Sequence, residues 1–211
     1  MPRINRVRVH NIHFETGGQP RVYHDTVFEP FGENTLVLLG NGGGKTLLLH
    51  LIAQVVEPNV SLQGRRIKRL VEKEKFTGHL LVEWLLDGAA PRFLLTGFCF
   101  ADYIGGGHLG MDYFTYLHQY DAENAYDLRS LPLADESNRT LNFKQLRDSL
   151  RESPVKVYPS YRRQDYQEQL KSYQIDPQEW RYILRINDSE GGIENFFEGC
   201  SKTRTLLDKL L

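Results

Sequence analysis

The 211 residues are 40% hydrophobic, enough apolar material for one substantial core or two small ones, so the chain should be globular. Lys plus Arg number 26 against 27 for Asp plus Glu, a balance with no global pull toward nucleic acid or membrane, and any such partner must be met by a local patch. Cys99 and Cys200 lack metal-ligand spacing and are too few for a disulfide framework, the N-terminus has no apolar signal segment, and no apolar run approaches the ~20 residues of a membrane helix. The chain reads as cytoplasmic.

The opening "RINRVRVHNIHF" places Ile4, Val7, Val9 and Ile12 among polar partners, which predicts a half-buried strand. "ETGGQP" at 15–20 is a turn and "RVYHDTVFEPF" the returning strand of a hairpin. "ENTLVLLG" at 33–40 is then a short apolar strand, and 45–56 a buried helix stopped near Pro58, with only His50 and Gln54 breaking its apolar surface. "SLQGRRIKRLVEKEK" concentrates the chain's basic residues. The two apolar runs between 78 and 103, joined by Asp87-Gly88 and Pro91, are a tight antiparallel pair. A glycine loop follows at 103–110, a strand at 111–120, a helix at 142–152 closed by Pro154, and a polar helix at 163–174. "EWRYILRIN" at 179–187 is predicted as a late strand. The closing "TRTLLDKLL" is a helix with no stop signal, as expected of a chain cut from something longer before a coiled coil.

Four glycines occupy the five positions from Gly40 to Gly44, between two apolar segments. A strand that enters such a cluster and leaves as a helix points successive backbone N–H groups into one concavity, which binds phosphate. Lys45 then reaches the β- and γ-phosphates of ATP and the Thr46 hydroxyl ligates Mg²⁺, with Gly40, Asn41, Gly42, Gly43, Gly44 and Leu47 completing the nucleotide-binding set. The match to G-x-x-x-x-G-K-[ST] lacks its first glycine, where Leu39 stands, and Gly40 takes over that role. The competing reading is a glycine-rich turn with an incidental Lys-Thr. Asp102 closes an apolar run as a second acidic site would, but the 93–101 run is one arm of a hairpin, so the catalytic acids are expected outside this chain.

In its order of parts the sequence resembles the N-terminal half of the ATPase head of SMC-type proteins, of the divergent bacterial kind. The initial strand, "GNGGGKT" and its helix, "SLQGRR" at 61–66 beside the family's "SLxGG", and an antiparallel pair carry the likeness. It covers most of the first 100 residues, and 105–180 match nothing. The resemblance implies an α/β, ABC/SMC-type P-loop head lobe with an N-terminal antiparallel β subdomain. Its parts are a β hairpin (1–32), a P-loop unit (33–58), antiparallel strands (79–103) and a mixed α/β remainder (104–211). It further implies ATP and Mg²⁺ as cofactors, with Asn187 or Glu190 standing in for the family's Mg²⁺-contacting glutamine. The implied partners are the C-terminal head lobe of the same parent, a second head, double-stranded DNA and kleisin-like accessory subunits, in a nucleoid-associated setting without membrane. The implied work is chromosome organisation, repair or defence against plasmids and phage, with little hydrolysis by this chain alone. Arg65, Arg66, Lys68 and Arg69 are then DNA-contact candidates, or else a solvated face. A self-contained P-loop kinase using Asp102 and an ABC-transporter ATPase are the alternatives. Tyr158, Tyr161, Tyr166 and Tyr173 are read as packing residues before base-stacking ones, Cys99 as a buried hydrophobe, and His108 and His118 as no metal site.

Overall fold

The computed structural model describes residues 2–62, 65–66, 77–102 and 111–188. Strands β1 (Arg3–Thr16) and β2 (Gln19–Phe28) form the expected hairpin around Gly17-Gly18. The apolar positions of β1 change parity twice, from Ile4 to Val7 and from Val9 to Ile12, and both breaks have a physical cause. The register with the neighbouring strand slips at Asn5, and Asn11 adopts φ 52°, the left-handed conformation that Asn tolerates. Each slip returns the next apolar residue to the same face, so that Ile4, Val7, Val9, Ile12 and Phe14 all serve one core.

Helix α1 spans Lys45–Val56. Short strands β3 (Ser61–Leu62) and β4 (Arg65–Arg66) pair with each other, then come β5 (Thr77–Leu86), β6 (Arg92–Asp102) and β7 (Met111–Tyr120). Helix α2 (Phe143–Arg151), strand β8 (Lys156–Pro159) and helices α3 (Arg163–Ser172) and α4 (Pro177–Asp188) follow. Six strands make one sheet in the order β2-β1-β5-β6-β7-β8, and every neighbouring pair is antiparallel.

This topology corrects the predicted fold class. An ABC/SMC-type P-loop head lobe requires a parallel core, and parallel neighbours require crossovers of a dozen or more residues, whereas β5 and β6 are joined by Asp87–Pro91 alone. The predicted strand at 33–40 is also absent. Phe31 and Gly32 donate to the carbonyls of Asn5 and Ile4, after which 34–40 runs on as extended coil, with Leu36 81% and Leu38 82% exposed. Without a ladder partner, β propensity alone does not make a strand.

The predicted strand at 179–187 is helix α4. Asp176 accepts from the Gln178 N–H, Pro177 takes the first helical position and Glu179 the first turn, all helix-start signals that outweigh the aromatic and β-branched content. Trp180 and Leu184, one turn apart, then face the core, where Trp180 meets Trp84 edge-on at 5.8 Å. The helices expected at 45–56, 142–152 and 163–174 form as α1, α2 and α3. A reciprocal capping box between Asn142 and Gln145 opens α2.

Both faces of the sheet are covered. Helices α1, α3 and α4 pack over Val7, Val9, Leu80, Val82, Trp84 and Phe98, and the Tyr166 hydroxyl ties α3 to the Val55 carbonyl of α1 at 2.7 Å. The 121–155 segment, with α2, covers Leu81, Leu95, Cys99, Phe114 and Tyr116 through Leu128, Leu131, Leu146 and Leu150. The Arg8 guanidinium fastens this second layer, gripping Asp25 with two bonds and donating to the carbonyls of Leu128, Arg129 and Leu131. A buried Glu57 gathers Arg163, Arg181 and Gln167 at the end of α1, joining it to α3 and α4.

Two expected outcomes follow from this packing. A Cβ at Gly97 would stand 2.0 Å from Tyr116 Cζ, so Gly97→Ala must displace the ring. It should cost ~1–3 kcal/mol in chemical denaturation, as overpacking does. His79 lies fully buried in β5, facing His10 and Arg8 on β1 and Cys99 on β6, and burial first, then the charges of His10 and Arg8, lowers it from the ordinary 6.5 to about 3. The unfolded chain therefore binds this proton more readily than the folded one. The stability contributed by neutral His79 is fully present above pH 6.5 and lost as pH falls from 6.5 toward 3. Denaturation midpoints measured across that window should fall less steeply in His79→Leu than in the parent.

Candidate functional site

The glycine turn lies where β1 and β2 end against the start of α1. Gly42 (φ 77°) and Gly44 (φ 80°) hold the left-handed conformation that lets the chain reverse into the helix. Neither has room for a side chain: a Cβ at Gly42 would press on Thr16, and one at Gly44 would stand 2.9 Å from the Tyr23 hydroxyl and 3.2 Å from Phe14. The Gly43 N–H closes the turn on the Gly40 carbonyl at 2.9 Å, and Tyr23 donates its hydroxyl to the Gly43 carbonyl at 2.5 Å. Tyr23 in turn stacks on Phe14, with ring centroids 5.2 Å apart, and burial raises its pKa, which keeps the donating proton in place.

At this end α1 has no side-chain cap and no acidic residue in its first turn. Its first helical bond of this turn runs from Leu48 N–H to Gly44 O, so the N–H groups of Lys45, Thr46 and Leu47 have no partner within the helix. Partial positive charge and free donors therefore meet at a turn where Asn41, Lys45 and Thr46 are exposed and Leu47 is buried in the core. Lys45 Nζ rests on the Leu39 carbonyl at 3.1 Å, a contact an incoming anion can displace. Leu39, in the place of the pattern's first glycine, packs against the core.

The other candidate residues lie on other elements. Asp102 ends β6, paired in register with Met111 of β7. Arg65 and Arg66 form β4 against Ser61 and Leu62, while Lys68 and Arg69 lie outside the described residues. Asn187 belongs to the last turn of α4, not to a strand-end loop, and Glu190 lies outside the described residues, as do Cys200, His108 and the chain's final segment. Tyr158 and Tyr166 are buried against one another, Tyr161 is exposed, and Arg162 lies 5.9 Å from the Tyr158 ring centre, an arrangement of packing and not of base stacking. Among the described residues no three His, Cys, Asp or Glu side chains converge on a metal position.

Sequence reasoning missed Phe14, Thr16 and Tyr23, which brace the turn. Their periodicity marks them as hairpin residues, and nothing local to them signals that α1 begins above them.

The all-antiparallel sheet also corrects the resemblance. An SMC-type or ABC-type ATPase head, and equally a P-loop kinase, is built on a parallel strand that feeds the glycine turn, and 34–40 is no such strand. The DNA-organising, repair and defence roles and the Walker A assignment drawn from that resemblance fall with it. Among the described residues no helix is long and apolar enough to cross a membrane. No family model matches the chain, and no curated protein matches it.

Proposed function

We propose that the chain is a binding module for a phosphate-bearing ligand, taken at the Gly40–Thr46 turn, with Mg²⁺-ATP the ligand to test first. The observation that carries this reading is the open start of α1: free N–H groups, no cap, no acid, two left-handed glycines and an exposed Lys45-Thr46 pair meet at one point. A helix of an ordinary protein ends its backbone donors on a Ser, Thr, Asp or Asn cap; here a ligand oxygen takes that place. Lys45 and Thr46, both exposed at this end of α1, add a positive charge and a hydroxyl that an anion can meet. Nothing in this reading requires turnover.

Isothermal titration of the chain with Mg²⁺-ATP, and separately with inorganic triphosphate, measures it. Lys45→Ala removes one charge-assisted contact and should weaken binding by ~1.5–3 kcal/mol, roughly ten- to a hundredfold in Kd. Equal affinity in parent and variant, or no binding of either ligand, leaves the turn as a purely structural element.

A specific observation favours a second role in association. Phe31, Leu36, Val37 and Leu38 are exposed beside a cleft of about 400 Å³ lined by Ile4, Val7, Phe28, Leu48 and Ile52. Exposed apolar side chains beside an apolar cleft invite a second copy of the chain to cover them. Sedimentation should then show concentration-dependent self-association that Leu36→Ser with Leu38→Ser abolishes, and a parent chain that stays monomeric at high concentration removes this reading.

A further inference from the structure

The layer between the sheet and the 121–155 segment contains polar atoms that the mechanism of phosphate binding does not use. His79 and Tyr116 are fully buried, yet among the described residues both ring nitrogens of His79 and the hydroxyl of Tyr116 make no hydrogen bond. His10 Nδ1 is in the same position, 3.5 Å from the Asp25 carboxylate. Register places them together on one face. His10 is opposite His79, His79 opposite Cys99, and Gly97, two residues before Cys99, opposite both Leu81 and Tyr116.

The Tyr116 ring lies across Gly97, where only a missing side chain makes room, and so carries its hydroxyl over β6 toward β5. His79 and Gly97 are diagonal neighbours on one face of β5 and β6, ~7–8 Å apart, and a phenol lying over Gly97 therefore comes to within the span of two hydrogen bonds of the imidazole. Both groups also feel the charge of Arg8, which independently puts them in one neighbourhood.

From these orphaned donors and acceptors we infer that a buried water site lies between β5, β6 and the covering segment, in which ordered water bridges the His79 imidazole to the Tyr116 hydroxyl. The chemistry selects water over the alternatives. Each partner is neutral and offers one donor and one acceptor, which is what a bridging water needs. Arg8 has its bonds filled by Asp25 and three carbonyls, so it does not call for an anion. A transition metal needs several converging ligands, and among the described residues no three His, Cys, Asp or Glu side chains converge on a metal position. The site is thus a hydrated seam between the centre of the sheet and the segment that covers it.

The test is a double-mutant cycle on the intact chain with Tyr116→Phe and His79→Leu. Tyr116→Phe removes one oxygen and no volume the fold needs. If water bridges the two, each single substitution strands a hydrogen-bonding partner, lowering Tm by roughly 2 to 8 °C, and the double variant loses less than the sum. If the site is dry, removing an unpaired buried hydroxyl leaves Tm unchanged or raises it, and the inference fails. Strictly additive losses also overturn it, since they leave no shared bridge. Stoichiometric zinc in the purified parent chain, lost in Cys99→Ser, would overturn it in favour of a metal site.

Discussion

Five residues, Asp87–Pro91, join the two central strands of this protein, and the architecture depends on that short reach. A connection of this length turns the chain back beside itself and cannot carry it across a sheet face, so β5 and β6 are antiparallel. β7 and β1 then add to their outer edges in the same sense. Cover for the sheet comes from segments between β2 and β5, between β7 and β8, and after β8. α1 arrives from the hairpin side, α3 and α4 from the C-terminal side, and the 121–155 segment closes the opposite face.

Covering both faces puts polar strand residues where water cannot reach them, and the structure answers with three different arrangements. Glu83 is satisfied by Arg6, Asn5 and Tyr120 together. Arg8 fills its donors with Asp25 and the carbonyls of the covering loop, turning a buried charge into the fastening of a layer. Thr96 relays the Trp84 indole N–H to the Val82 carbonyl. His79 and Tyr116 stand apart from this pattern, and that contrast is what gives their unpaired atoms meaning.

The glycine turn illustrates how a local motif is separable from a fold. Its conformation is set by Gly42 and Gly44 and held by Tyr23 and Phe14 from the hairpin, so it needs no parallel strand to exist. An anion-attracting helix start is a property of backbone dipoles and free N–H groups. Catalysis by P-loop enzymes needs more, namely acids delivered by neighbouring parallel strands, and this sheet has none to deliver them. Binding and turnover are thus different demands on the same turn.

Local chemistry determined the hairpin, α1 with its buried polar pair, the β5-β6 connection and the capping of α2, because turn residues, period and caps act within a few positions. Gln54 shows the limit of that reading. Its side chain is buried in α1 because it donates to the Val60 carbonyl and accepts from the Asn59 N–H, a closure beyond the helix that periodicity does not register. For α4, the start signals Asp176, Pro177 and Glu179 were legible beside "EWRYILRIN", and strand propensity obscured them. Tertiary structure alone decided the fate of "TLVLL" at 35–39, since an apolar run becomes a strand only when it pairs with a neighbour, and 34–40 joins no ladder. It also decided which of the candidate residues share a site. Lys45 and Thr46 remain with the glycines because they are covalent neighbours, whereas Asp102 ends a strand of the antiparallel ladder and Asn187 lies in the last turn of α4.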